Sequence, residues 1–229
     1  MTLSLRALAL ITLSFGLAAC AGETTDPADA PLAGETDIVE AATEIPAGTY
    51  ALDPVHSEIG FVVRHFGISN VDGTFNDFEG MVTVPESGLD GMSATLTAQV
   101  ASIDTDNADR DGHLKAPDFF AAEEYPTLTF QTTSITPTGG NTFTMTGDLT
   151  MRGVTRPITL EGEYLGSSQG MGTPKIGFQA EGEIDRQEWG ISWNNTNEAG
   201  EIAVSDDVTL RIGVEADLQG DDGMEGTDA

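Results

Sequence analysis

The feature that most constrains this chain is a two-residue alternation that recurs along most of its length. Val208, Leu210, Ile212, Val214 and Ala216 alternate with Asp207, Thr209, Arg211, Gly213 and Glu215. Successive side chains of an extended chain point to opposite faces, so this run lays one apolar face on a core and one polar face in water. Phe143, Met145, Gly147, Leu149 and Met151 repeat the pattern against a nearly unbroken set of threonines. Ile176, Phe178, Ala180, Gly182 and Ile184 repeat it again, as do Leu96, Ala98 and Val100, then Leu128 and Phe130, then Ile158, Leu160 and Tyr164. Near the front, Ile59, Phe61, Val63 and His65 share one face, and Val82 and Val84 close a strand that follows Phe75 and Phe78. The count is roughly eight strands, joined mostly by short turns such as Thr138-Gly139-Gly140-Asn141. Sequential strands with one apolar face close most simply into an antiparallel barrel or fold as a sandwich.

The first residues do not belong to that pattern. From Ala7 to Ala19 the chain is almost wholly apolar or small, with Arg6 before it. A run this short does not span a bilayer and reads as the apolar region of a signal peptide, residues 1–19. It ends in Leu17-Ala18-Ala19-Cys20, the pattern in which a bacterial lipoprotein is cut and acylated on Cys20. Cys20 is the only cysteine, so no internal disulfide and no cysteine-rich metal site can form. The expectation is a periplasmic, membrane-anchored lipoprotein. Ala21 stands where aspartate commonly signals inner-membrane retention in enteric bacteria, which favours the outer membrane.

Composition then marks off the folded part. Residues 20–46 are rich in Ala, Glu, Thr, Asp and Pro and carry too little apolar surface to offset ordering, so they read as a flexible acidic tether. Residues 219–229 read as a similar tail, which leaves 47–218 for the barrel domain. The formal net charge is −29, and all 38 acidic residues follow Cys20. Such a surface excludes nucleic acid as a partner and argues against an electrostatic membrane-binding face. The one long connection, Asp104 to Pro126, reads as a loop with a short helix that caps one end of the barrel.

Four stretches carry a resemblance to a known family. They are Tyr50-Ala51-Leu52-Asp53-Pro54-Val55-His56-Ser57 with Phe61-Val62-Val63-Arg64-His65-Phe66; Val71-Asp72-Gly73-Thr74-Phe75; Ile103-Asp104-Thr105 through Arg110-Asp111-Gly112-His113-Leu114-Lys115 to Phe130; and Gly147-Asp148-Leu149-Thr150-Met151-Arg152-Gly153-Val154-Thr155-Arg156-Pro157. Together they resemble the YceI-like family of periplasmic proteins. The usual Asn-Arg before Phe-Gly is Asp185-Arg186 before Trp189-Gly190 here. The resemblance implies an extended, lipocalin-like antiparallel barrel with a long apolar molecule inside it, of polyisoprenoid or fatty-amide type, and no catalytic activity.

An eight-stranded barrel is just wide enough to be filled by side chains or to hold one ligand. Small inward residues such as Gly60, Ala98, Gly147, Ala180 and Gly182 fit either case, and the resemblance tips the reading toward a tunnel. The expected ligand-binding residues are Phe61, Val63, His65, Phe78, Leu96, Phe130, Phe143, Phe178 and Trp189. A polar head group would be met at the mouth by Arg64, Arg110, His113 and Lys115, cations being scarce in this chain, although Arg110 could instead pair with Asp109 or Asp111 to hold its loop. The alternative is a ligand-free envelope interaction or stress-response module with a packed barrel core. The sequence leaves open whether the barrel pairs with a second copy.

Enzyme signals are weak. His56, His65 and His113 are the only histidines and show no close metal-ligand spacing, although they could bind zinc if they converged with Asp53 or Asp111. There is no nucleophile elbow and no phosphate-cradling loop. The expectation is therefore no enzyme, no cofactor and no metal.

Overall fold

The computed structural model describes residues 44–220. The leader, Cys20, the tail beyond Gly220 and most of the expected tether lie outside the described residues. The strands are β1 (Gly48–Leu52), β2 (Glu58–His65), β3 (Ser69–Phe75), β4 (Phe78–Val84), β5 (Ser93–Gln99), β6 (Ile103–Asp104), β7 (Thr127–Gly139), β8 (Thr142–Met151), β9 (Val154–Ser168), β10 (Lys175–Asp185) and β11 (Val204–Leu218). One helix, α1 (Ala108–Leu114), interrupts the order between β6 and β7.

All pairings are antiparallel, and the ring runs β1-β4-β5-β7-β8-β9-β10-β11 before β11 closes on β1. It is a closed eight-stranded antiparallel barrel. Eleven segments make eight walls because three walls are broken. β1 and β2 lie end to end along β11, with Leu52 opposite Ala216 and Glu58 opposite Gly213. β3 and β4 likewise follow β2 and β1, and β6 continues β5 after a 3-10 turn at Val100–Ser102. Short polar groups make the breaks. Asp53 accepts from the Val55 amide, and Ser102 Oγ accepts from the Asp77 amide. Each bond gives the backbone a partner where the ladder stops.

The alternation seen in the sequence becomes the inside and outside of the barrel. Phe143, Met145, Leu149 and Met151 of β8 are buried. Opposite Phe143 stands Gly162 of β9, and opposite Phe61 of β2 stands Gly73 of β3. A Cβ at Gly162 would lie 2.4 Å from the Phe143 ring, and one at Gly147 would lie 2.2 Å from the Phe130 ring. These glycines therefore serve a purpose other than taper. Each receives the outer end of a neighbouring phenyl ring.

The two ends are built differently. At one end Tyr50, Tyr164 and Ile176 are almost completely buried and fill the barrel as a floor. Packing there begins before β1: Ile45 is buried, and the Pro46 carbonyl accepts from the Tyr50 hydroxyl at 2.9 Å. At the other end α1 and its flanking loop cover the opening that short β6 leaves beside β7. Asn107 caps α1 by accepting from the Arg110 amide.

Candidate ligand-binding site

Between floor and cap the barrel interior holds a partly open cavity of about 200 Å³. Its walls come from inward positions of most strands, and polar atoms contribute almost none of its surface. Apolar cavities of comparable size, about 150 Å³, stay dry in other proteins and take up apolar ligands.

Of the residues singled out in the sequence, Phe61, Val63, Leu96, Phe130, Phe143 and Phe178 line this cavity. Phe78, Trp189 and His65 do not. Phe78 is buried opposite Ala98, itself wholly buried, in the packed wall. Trp189 is 1% exposed, and its indole N–H donates to the Leu149 carbonyl at 3.1 Å. A tryptophan tied in this way fills space as a fixed part of the core. His65 ends β2 on the exposed rim, its ring 4.4 Å from that of Phe66. Inward-facing position on a strand does not reach the cavity when the residue stands above it.

The cap supplies lining that alternation could not reveal. Leu114, Phe119 and Phe120 line the cavity from above, joined by Ile191 from the connection between β10 and β11 and by Val204, the first residue of β11. Phe120 meets Phe75 edge-on at 5.8 Å. His113, Phe119 and Trp193 form a cluster with centroids 4.8–5.1 Å apart, which joins the cap to the β10–β11 connection. Arg152, in the β8–β9 turn, donates to the Pro117 carbonyl at 2.9 Å and to the Phe119 carbonyl.

The four expected head-group residues do not converge. Arg64 is exposed on the outer face of β2. Arg110 donates from Nε to Thr105 Oγ1 at 2.7 Å and to the Thr105 carbonyl at 2.6 Å. Its partner is thus Thr105 and neither Asp109 nor Asp111; the Asp111 carboxylate accepts from the Thr105 amide instead. His113 shares a 2.8 Å hydrogen bond with Asp118, whose carboxyl it holds below the usual range. Lys115 is the C-cap of α1.

These contacts make a capped apolar barrel, and comparison with known proteins agrees with it. The YceI-like domain model matches residues 50–216, from β1 into the end of β11. The chain belongs to the YceI-like family. The YceI protein of Escherichia coli O17:K52:H18 is 37% identical over 148 residues, 63% of this chain and 77% of the relative. A UPF0312 protein of Staphylococcus epidermidis is 35% identical over 168 residues, 72% and 95% of the two chains. Among solved structures, Campylobacter jejuni YceI is 34% identical with a TM-score of 0.59, covering 69% of this chain and 90% of its own. A polyisoprenoid binding domain from Saccharophagus degradans shares the fold at 17% identity, TM-score 0.57, covering 76% and 100%.

Two clusters of this YceI-like chain were only partly legible in the sequence, which showed Asp185-Arg186 and His56 with Asp53 but not what surrounds them. The first is Arg186, 4% exposed at the cap end of the cavity wall. Its guanidinium donates to the carbonyls of Ile191, Trp193, Val204 and Ser205 and pairs with Asp206 at 3.1 Å. Burial pulls its pKa down, and Asp206 opposes that shift. With its donors spent on backbone, Arg186 shapes the β10–β11 connection and offers a ligand nothing. The Asp185-Arg186 pair was the signal, and Asp185 accepts from the Gln187 amide to start the turn.

The second cluster lies outside the barrel near the floor. His56 Nδ1 is 2.7 Å from Asp53 and 3.6 Å from Glu215. The hydrogen bond to His56, with the Val55 amide, draws the Asp53 carboxyl down to about 2, and the same bond raises His56. Asp53, His56 and Glu215 could hold a metal ion by position. Lys175 already stands among them, 2.9 Å from Glu215 and 3.5 Å from Asp53, and also bonded to Asp217. Its ammonium supplies the positive charge this cluster requires, and these bonds raise its pKa. His65 and His113 sit at the opposite end, so the three histidines do not converge.

Proposed function

We propose that this protein binds a long-chain amphiphile, of polyisoprenoid or fatty-amide type, inside the barrel, and that it carries or sequesters that molecule at the bacterial cell envelope without catalysis. The observation that carries this reading is the almost purely apolar cavity in the barrel beneath the cap. Each buried methylene contributes about 0.8 kcal/mol, while association costs on the order of 4–15 kcal/mol. A ligand held by apolar contact alone therefore needs roughly ten or more buried methylenes, which selects a long chain over a small hydrocarbon. Family membership supports the same reading, as does the fold shared with a polyisoprenoid binding domain. Acylation of Cys20, part of the same proposal, would hold the barrel beside a membrane, the pool from which such a ligand would be drawn.

Native mass spectrometry of the freshly purified full chain tests this. The expected result is a co-purified apolar molecule that organic extraction removes and that reloads from lipid. A chain that carries no such molecule and takes none up from prenols or fatty amides overturns the proposal.

A further inference from the structure

The floor of the barrel holds a polar atom that the fold leaves unused. Tyr164 of β9 is 1% exposed, and its hydroxyl has no hydrogen-bond partner, the one buried side-chain polar atom of which this is true among the described residues. Buried tyrosine hydroxyls usually find a partner, because water lost on burial must be replaced. Neighbouring Tyr50 shows the ordinary solution, donating to the Pro46 carbonyl. Tyr164 instead packs its ring against Phe178, centroids 5.3 Å apart, and Phe178 packs against Phe143 at 6.1 Å. Both phenylalanines line the cavity. The Tyr164 ring therefore stands one ring beyond the cavity, at the end away from the cap.

We infer that Tyr164 is the polar anchor of the ligand site: its hydroxyl takes the hydrogen-bonding terminus of an amphiphile that lies polar end inward, with its apolar tail toward the cap. This rests on the reading that the cavity holds a long-chain amphiphile, and it fixes that molecule's direction and the chemistry of its head. The head must be uncharged, an alcohol or a primary amide. A phosphate or carboxylate at the floor would be buried without a counter-charge. Lys175, near this end, is on the outer face and committed to Glu215 and Asp217, and Arg186 is at the far end with its donors spent on carbonyls. Phe178 is the side chain common to the cavity wall and Tyr164, so a seated head group displaces its ring.

The experiment compares two probes on two proteins. The probes are geranylgeraniol and the hydrocarbon of the same chain that lacks its hydroxyl; the proteins are wild type and Tyr164→Phe. The readout is the ratio of the two dissociation constants, by competition with a fluorescent prenol analogue. Phenylalanine keeps the ring and its packing, so the variant should fold with a thermal midpoint at or above that of wild type. Wild type should prefer the alcohol by about tenfold, the effect of one well-placed hydrogen bond, and Tyr164→Phe should lose that preference while still binding the hydrocarbon. If both probes bind wild type equally, or Tyr164→Phe keeps the preference, the anchor is wrong and the tunnel stands. If neither probe binds wild type, the amphiphile reading fails and takes the anchor with it.

Discussion

Replacing Gly147 with alanine tests whether the inner wall is built from glycine and phenyl rings in register. A Cβ at Gly147 would lie 2.2 Å from Cζ and 2.4 Å from Cε2 of Phe130, and 2.7 Å from the Gln131 carbonyl oxygen. The ring can yield only toward the cavity it lines, and the carbonyl belongs to the β7–β8 ladder, whose register already shifts after Thr132. Forcing a methyl into such a site costs about 1–3 kcal/mol. For a domain of this size that lowers the thermal midpoint by roughly 3–9 °C. Gly213 is the internal control, since its backbone is not left-handed and a Cβ there would meet nothing within 4 Å. Gly213→Ala should be neutral or raise stability by up to about 1 kcal/mol, because alanine restricts the unfolded chain. The assay is urea unfolding followed by tryptophan fluorescence, with Phe130→Leu added to Gly147→Ala to make room for the methyl. The double variant should recover part of the loss, a coupling of about 0.5–2 kcal/mol. Equal stability of Gly147→Ala and Gly213→Ala, within about 0.5 kcal/mol, would refute the argument.

Two other predictions concern the cap end and the outer cluster. Arg186→Met should cost about 2–4 kcal/mol, because buried carbonyls of the β10–β11 connection lose their donor; urea midpoints and faster hydrogen exchange over residues 186–206 would show it, and unchanged exchange there would contradict it. The pair of Asp53 and His56 should make stability depend on pH in a defined window. His56 is raised, so its contribution is full below its unfolded value of about 6.5 and is lost as pH rises through the higher folded value; Asp53 is lowered, so its contribution is full above about 3.9 and is lost as pH falls through about 2. His56→Asn should therefore lower the thermal midpoint more at pH 5 than at pH 8.5, and an effect independent of pH would rule the pair out as its cause.

Much of the architecture was legible in the chain. Alternation in β8, β10 and β11 named the inward residues correctly, because the strand period of two is a local property of extended backbone. The one long connection, from Asp104 to Pro126, announced the capping loop and its short helix. Alternation assigns a face and carries no information about height along the barrel. Phe61 and Phe78 both face inward, yet one lines the cavity and the other packs the wall, and His65 shares a face with Phe61 but stands on the rim. Distant pairings were equally hidden. Glu215 comes beside His56 only because β11 runs antiparallel to β1 and β2 in one register, and Arg186 is buried only because the connection after it folds back over its guanidinium. The sequence by itself therefore determined most of the strands, their faces and the family, but not β1, β6, the break between β3 and β4, or the 3-10 turn at Val100. Ring closure and strand register decided which inward side chains enclose space, which glycines seat a ring, and which polar group, Tyr164, was left without a partner at the floor.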